Sequence, residues 1–359
     1  ILQRMLKMLR RLNLEQIERE AADALRACLE EVPFARLADV QEQPGSGGSV
    51  LVARVGLPDT EQILVVAAKR NGQPRIVRDA VNALRRYVPQ YPNAYGVFVA
   101  PYVSERSAAI CEAEGVGYLD LAGNCRLCFG RVYIRKAGHE NPFGVKRELR
   151  TLFSPKAGRV LRVLLTAPRR AWKVQELAQV AGVSVGQVSN VKKLLENREW
   201  IRPGAGGLRL TEPESLLAEW AANQRYRQDK SHSCYSIRSG IEFEQQLAES
   251  CNRRGMQYAL TGFSAAARWA PMVRTPRMAA YVDGDVREIM TELQLKEVGS
   301  GPNLRLIEPG DNGVFHAAQA VDGIVLASPV QVYLDLKQAG GRGDEAAEAV
   351  LNEVIRPLW

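Results

Sequence analysis

The 359-residue chain is poor in the residues that usually declare a chemistry. It has six cysteines, three histidines and 7% aromatics, and it has no run of 18 apolar residues. Cysteines 28, 111, 125, 128, 234 and 251 show no disulfide-framework spacing in a chain this long. Cys125-Arg-Leu-Cys128 is a lone C-x-x-C, and His139, His232 and His316 are scattered. A zinc site needs four converging ligands, so no metal or other cofactor is expected, and the cysteine pair reads as two small apolar residues on a buried strand. The missing apolar run excludes a membrane helix. Residues 1–13 mix Arg4, Lys7, Arg10 and Arg11 with Leu and Met in a helical rather than a signal-peptide pattern. A reduced, soluble, cytoplasmic protein with no membrane partner is expected. Gly and Pro together number 48 and the chain is 46% hydrophobic, enough for well-buried cores in two to three domains.

Acids are also in short supply. Lys and Arg exceed Asp and Glu by 8. Residues 131–210 hold 17 bases against five acids, a net +12, and the rest of the chain sums to −4. Residues 1–130 come to about +1 and residues 226–359 to about −3. One basic module therefore lies between two nearly neutral ones, with boundaries expected at 1–140, 145–225 and 226–359. A surplus so concentrated suits a polyanion partner.

In the first module, Leu14, Ile17, Ala21, Leu25, Cys28 and Leu29 fall at helical spacing. Ser49–Leu57 and Gln62–Lys69 are β-rich runs around Pro58-Asp59. A helix over about Pro74–Tyr87, a strand at Tyr95–Ala100, a helix at Ser104–Glu114 and strands at Gly117–Leu121 and Arg126–Arg135 complete a three-layer α/β pattern. This order resembles the PD-(D/E)xK restriction-endonuclease-like fold. Such nucleases use an Asp and a Glu to hold a divalent metal and a Lys to polarise water. Asp59 matches the first position and Lys69 the last, but Ala67 stands where the second metal-binding acid belongs. A degenerate, non-catalytic relative is expected.

The basic module opens at Ser154-Pro155, a capping serine followed by proline at the first helical position. Val160, Leu161, Val163, Leu164 and Leu165 supply the buried face of the first helix, which Pro168 ends. Trp172–Ala181 is the second helix, Gly182-Val183-Ser184 the turn, and Val185–Glu199 the third helix, capped by Ser184. Val188, Val191, Leu194 and Leu195 define its core face, leaving Gly186, Ser189, Asn190 and Lys193 opposite, at 100° per residue. Small polar and amide side chains there suit base edges, Gly186 permits close approach to a groove wall, and Gln187 sits at the end that usually meets the bases. Two short strands around the glycines at 204, 206 and 207 read as a wing carrying Arg202 and Arg209. The expected interface with double-stranded DNA comprises Lys156, Arg159, Arg169, Arg170, Lys173, Ser184, Gly186, Gln187, Ser189, Asn190, Lys192, Lys193, Arg202 and Arg209. Lys and Arg between 146 and 173 supply phosphate contacts in this reading. Plain helical bundles share the three-helix pattern; the wing and the charge argue for DNA.

In the third module an amphipathic helix, Ser239–Arg254, has Ile241, Phe243, Leu247 and Cys251 expected inward. A strand then runs through Tyr258-Ala259-Leu260-Thr261-Gly262-Phe263-Ser264 into a helix at Ala265–Trp269. A second strand, Met278–Val282, ends in Asp283-Gly284-Asp285, the outline of a minimal nucleotidyltransferase with Arg268, Arg274 and Arg277 as candidate phosphate ligands. Phe263 crowds the glycine–serine turn and Asp-Gly-Asp is common in ordinary turns, so a fold without catalysis is expected. A strand at Asp322–Leu326, a helix from Ser328-Pro329 to Lys337 and a last helix at Arg342–Arg356 follow.

VQELAQVAGVSVGQVSNVKKLLE, YALTGFSAA, SPVQVYLDLKQAGGRGDEAAEAVL and GVGYLDLAGNCRL together resemble the AbiEi-type antitoxins of type IV toxin–antitoxin systems, over most of residues 60–358. The resemblance implies a bacterial, non-enzymatic repressor that binds its own promoter through a winged helix-turn-helix. It also implies a C-terminal domain that counters a nucleotidyltransferase-like toxin. The simplest members begin at the winged helix, whereas here about 145 residues precede it. A homodimer or two adjacent protomers would match a partly palindromic operator. The alternatives are a metal-dependent nuclease or nucleotidyltransferase acting on nucleic acid, and a scaffold whose flanking domains recruit proteins.

Overall fold

The computed structural model describes residues 14–43, 50–143, 150–224, 229–238, 240–270 and 277–359. Residues 1–145 and 146–359 form two compact units of mixed α/β structure. Lys146, Arg147 and Arg274 lie outside the described residues, as do residues 1–13 and Ser239.

The first unit runs α1 (Leu14–Leu29), β1 (Arg36–Gln43), β2 (Val50–Leu57), β3 (Thr60–Ala68), α2 (Pro74–Tyr87), β4 (Ala94–Ala100), α3 (Glu105–Ala113), β5 (Gly117–Asp120), β6 (Cys125–Phe129) and β7 (Val132–Lys136). Its seven strands lie in chain order. β1–β2–β3 form an antiparallel meander, β3, β4 and β5 are parallel, and β5–β6–β7 turn antiparallel again. Strand side chains alternate between faces. Leu51, Ala53, Leu64, Val66, Val97 and Leu127 pack beneath Ala21, Leu25 and Leu29 of α1. Val65, Ala67, Phe98 and Tyr118 pack beneath Val77, Val81 and Leu84 of α2 and Ile110 of α3. The expected three layers are present. The sequence pattern overlooks β1, whose side chains are mostly exposed, and merges β6 with β7, which Gly130 separates.

The same alternation divides Cys125 from Cys128. Residues three apart on a strand point to opposite faces, so Cys125 is buried and Cys128 exposed. Only half of the buried-pair expectation holds.

The second unit begins with α4 (Pro155–Thr166), α5 (Val174–Ala181), α6 (Val185–Asn197), β8 (Ile201–Gly204), β9 (Gly207–Leu210) and α7 (Pro213–Ala222). It continues through β10 (Lys230–Tyr235), α8 (Gly240–Arg254), β11 (Gln257–Leu260), α9 (Gly262–Trp269), β12 (Met278–Asp283), α10 (Val286–Glu292), β13 (Lys296–Glu297) and β14 (Leu304–Glu308). A 3-10 turn at Asn312–Phe315, then β15 (Gln319–Val321), β16 (Ile324–Leu326), α11 (Pro329–Ala339) and α12 (Arg342–Val350) follow, and a π-helical turn at Leu351–Ile355 and a 3-10 turn at Arg356–Leu358 stand where α-helix was expected to run on to Arg356. The sheet order is β13-β10-β14-β12-β11-β16-β15, with parallel β12/β14 and β11/β16 pairs. β15 and β16 form a hairpin whose turn residues are Asp322 and Gly323, both with positive φ, in place of the single strand expected from Asp322. Ile241, two residues from buried Phe243 and so about 200° away around α8, is 67% exposed rather than inward. One hydrophobic core runs from Leu161 and Val188 to Leu260, Tyr281, Leu306 and Leu334, so residues on both sides of position 225 share it.

Candidate nucleic-acid interface

The turn between α5 and α6 is built from local chemistry. Gly182 takes the left-handed conformation (φ 61°) that ends α5, and Val183 N–H donates to Ala178 C=O at 3.0 Å. The Ser184 hydroxyl then accepts from Gln187 N–H at 3.2 Å, capping α6. Val188, Val191 and Leu195 are buried. Val185, Gly186, Ser189, Asn190 and Lys193 are exposed along one stripe, with Gln187 and Lys192 half-buried at its margins. A methyl group at Gly186 would meet only the Ser184 hydroxyl, at 3.9 Å, so nothing in the packing demands glycine there. Val180 and Val185, which the sequence pattern did not single out, are 46% and 48% exposed around the same turn. Ser154 does not cap α4 as expected: its hydroxyl donates to Thr151 C=O instead.

β8 and β9 form the expected hairpin, joined by a third strand-like contact. Trp172 and Leu208 exchange backbone hydrogen bonds at 2.8 and 2.9 Å. A Cβ at Gly207 would lie 2.2 Å from Trp172 O, so only glycine fits where that backbone crosses. Arg202 and Arg209 are directly opposite across the hairpin, and both are exposed. Like charges in opposed positions destabilise a strand pair, so the fold itself gains nothing from this pairing.

The remaining bases divide into two groups. Lys156 and Lys173 are exposed, and Lys192 pairs with Glu196 at 3.6 Å on its own helix. Arg170 pairs with Glu176 and lies over the Trp172 ring at 4.0 Å. Arg159 and Arg169, by contrast, are engaged with the body of the unit. Arg159 Nε donates to both carboxylate oxygens of Asp311 at 2.9 and 3.0 Å, and Arg169 Nε donates to Trp359 C=O at 2.7 Å. Gly313 fits against the Arg159 stem, where a Cβ would come within 2.8 Å. Two other arginines of the basic segment are buried. Arg198 faces Glu219 at 3.7 Å, and burial pushes the Glu219 carboxyl up. Arg162 donates to Gln331 Oε1 at 3.0 and 2.6 Å. Gln331 in turn donates to Asp335 Oδ1 at 2.9 Å, and Asp335 also accepts from Tyr281 and Thr261 hydroxyls. This buried chain joins α4 to α11 and the sheet.

The carboxylates expected at catalytic positions have other partners. Asp283 accepts from Asn312 Nδ2 at 2.6 Å, and Asp285 caps α10 by accepting from Arg287 N–H at 2.9 Å. Ser264 is buried and accepts from Ala279 N–H. In the first unit Asp59 precedes β3 and Lys69 follows it, so the nine-residue strand separates them by roughly 30 Å. Asp59 is exposed beside Arg131, at 3.4 Å. The residues paired towards the Lys69 end of β3 are Leu51 of β2 and Phe98 and Val99 of β4, none of them acidic. The matching of Asp59 with Lys69 as one site is therefore corrected by the length of β3. No described group of three or more His, Cys, Asp or Glu side chains is placed to hold a metal ion. No described helix is long and apolar enough to cross a membrane.

Comparison with known proteins bears on the second unit. Residues 209–356 match the AbiEi antitoxin family. That family is described as transcriptional regulators, AbiEi antitoxins of type IV toxin–antitoxin systems. The matched segment contains Thr261, Tyr281, Gln331 and Asp335, the buried network that ties the sheet to α11. Solved structures similar to part of the chain include a repair endonuclease from Pyrococcus abyssi, 21% identical with a TM-score of 0.21, which covers 28% of this chain and 46% of that one. The EndoMS–dsDNA2 complex (24%, TM-score 0.22, 29% and 44%) and EndoMS in its apo form (15%, TM-score 0.21, 28% and 45%) are further examples. The chain thus spans under half the length of these structures. No curated protein matches the chain.

Proposed function

We propose that the chain is a DNA-binding transcriptional regulator, the antitoxin of a type IV toxin–antitoxin system, which represses its own promoter through a winged helix-turn-helix at residues 150–210. The observation that carries this reading is the exposed stripe of α6, Gly186-Ser189-Asn190-Lys193, framed by the opposed Arg202 and Arg209 of the hairpin. In this reading α6 enters the major groove. Asn190 reads a base edge, the missing side chain of Gly186 lets the helix approach the groove wall, and Val185 meets a thymine methyl. Lys156, Lys173, Lys193, Arg202 and Arg209 contact phosphates and supply most of the affinity, so binding falls steeply with salt. A partly palindromic operator is met by two protomers.

The sheet domain from residue 226 onward keeps a nucleotidyltransferase-like outline without its metal site, since Asp283 and Asp285 serve a side-chain hydrogen bond and a helix cap. The antitoxin assignment of residues 209–356 supports a nucleotidyltransferase-like toxin as its protein partner. The first unit is read as a degenerate nuclease-like domain, supported by its meander-then-crossover strand order and by alanine at position 67.

The test is binding of the full chain to duplexes from its own promoter and to scrambled duplexes. Asn190→Ala should weaken promoter binding by about 1–3 kcal/mol and leave scrambled-duplex binding nearly unchanged. Equal loss on both duplexes, or promoter affinity no better than scrambled, would sink the reading. A divalent-metal titration addresses the enzymatic rival: Mg²⁺-dependent stabilisation abolished by Asp283→Asn would favour it.

A further inference from the structure

The first unit's near-zero net charge conceals a separation across its sheet. On the α1 face, residues 14–31 hold six acids against Arg19 and Arg26, a net −4. On the opposite face, residues 69–87 hold Lys69, Arg70, Arg75, Arg78, Arg85 and Arg86 against Asp79 alone, a net +5. The two helices are fixed on opposite sides by their separate cores.

Within α2 the bases are ordered. At 100° per residue, Arg75, Arg78, Arg85 and Arg86 fall within an arc of about 100°, opposite the buried Val77, Ala80, Val81 and Leu84. All four arginines are exposed. Arg85 and Arg86 suit the last turn, where cations complement the helix dipole. Arg75 and Arg78 do not. They lie in or next to the first turn, which contains no acid, and positive charge there opposes the dipole. The four arginines form a stripe about 16 Å long, at 1.5 Å per residue. That length spans about five phosphates of one strand at 3.4 Å rise. Glu114, just past α3, pairs with Arg85 and so limits the stripe at its C-terminal end.

We propose that the arginine stripe of α2 is a second nucleic-acid contact, which grips the sugar–phosphate backbone of duplex DNA without reading its sequence. The choice of duplex DNA as the polyanion rests on the DNA-binding reading of the second unit; the stripe itself does not. Contacts to phosphate position and strengthen a complex, whereas specificity comes from base edges. The stripe therefore adds affinity common to all sequences.

The test uses the full chain carrying Arg75→Gln, Arg78→Gln and Arg86→Gln together, with Asn190→Ala as the comparison. Binding to a scrambled duplex is measured across a salt series, and elution is measured from heparin, a polyanion without base edges. The triple variant should lose 2 to 3 from the slope of log affinity against log salt, bind roughly tenfold or more weakly near 0.1 M salt, and elute from heparin earlier. Asn190→Ala should change neither the slope nor the elution. A triple variant with wild-type slope and elution, and an unchanged unfolding midpoint, overturns the stripe and leaves the promoter reading standing. Loss of slope and earlier elution in the triple variant, with Asn190→Ala showing no promoter-specific defect, supports the stripe and removes the promoter reading.

Discussion

Gly186 and Arg159 show how one residue's neighbours decide what a substitution reports. Gly186 lies in the first turn of α6, where a methyl group would meet only the Ser184 hydroxyl, at 3.9 Å. Alanine is favoured over glycine in helices, by up to about 1 kcal/mol at interior positions, so Gly186→Ala should hold or raise the unfolding midpoint while weakening promoter binding. A variant that is stabilised and binds normally would show that close approach is unnecessary. Arg159 behaves in the opposite way. From sequence it stands beside Lys156 as a phosphate ligand, but its guanidinium faces Asp311. Arg159→Ala should therefore cost about 1–3 kcal/mol of stability in thermal or urea unfolding, as for a hydrogen bond to a charged group. Lys156→Ala, on an exposed position, should leave stability unchanged and lower affinity for all duplexes alike.

His316 gives the pH counterpart. Burial, with a smaller contribution from the Arg162 charge, holds its imidazole below the ordinary value of 6.5, and its Nε2 lies 3.3 Å from the Thr166 hydroxyl. The unfolded chain then binds the proton more readily than the folded one as pH falls through 6.5. Stability is lost in that direction and is fully present above it. Between pH 7 and pH 5 the wild type should lose stability more steeply than His316→Gln; parallel unfolding curves would contradict this.

At the scale of elements, helices with one apolar face were readable from spacing alone. The cores of α1 and α6 fall where periodicity puts them, with Leu194 of α6 half-buried at the margin, because burial of one stripe is what that period encodes. β1 was not readable, since a mostly exposed edge strand has no apolar alternation to display. Nor was the register that sets Leu51, Phe98 and Val99 beside the Lys69 end of β3, because register depends on which strand comes alongside and in which direction. The exposed stripe of α6 was visible as the complement of its core face. The diversion of Arg159 and Arg169 was not, because Asp311 and Trp359 lie more than 150 residues away in sequence. The hairpin adds a prediction of its own. Removing the Arg202–Arg209 opposition with Arg202→Thr should stabilise the strand pair by about 0.2–1 kcal/mol and reduce affinity for DNA; destabilisation would mean the arginines serve the fold.

For the second unit as a whole, the continuous core and the buried chain Arg162–Gln331–Asp335 make the three-helix segment and the sheet mechanically one body. Arg162 is 6% exposed and Gln331 fully buried, and the carbonyl of Gln331 receives two donors from that guanidinium. Gln331→Ala leaves a buried cation without this acceptor and removes a donor from Asp335. Losing a buried hydrogen bond to a charged group costs about 1.5–3 kcal/mol, against about 1 kcal/mol for one between neutral groups. The loss should not stay within the antitoxin-like segment. Amide hydrogen exchange in α4 and α6 should rise together with exchange in β11 and β12, because each leans on the same core. Exchange confined to α11 and the sheet, with α4 and α6 still protected, would mean that these two helices fold on their own and that the shared core is only contact. Joint loss would mean that any partner which loosens the sheet also loosens the surface proposed to hold DNA, so that the proposed toxin and the proposed promoter would be coupled through one core.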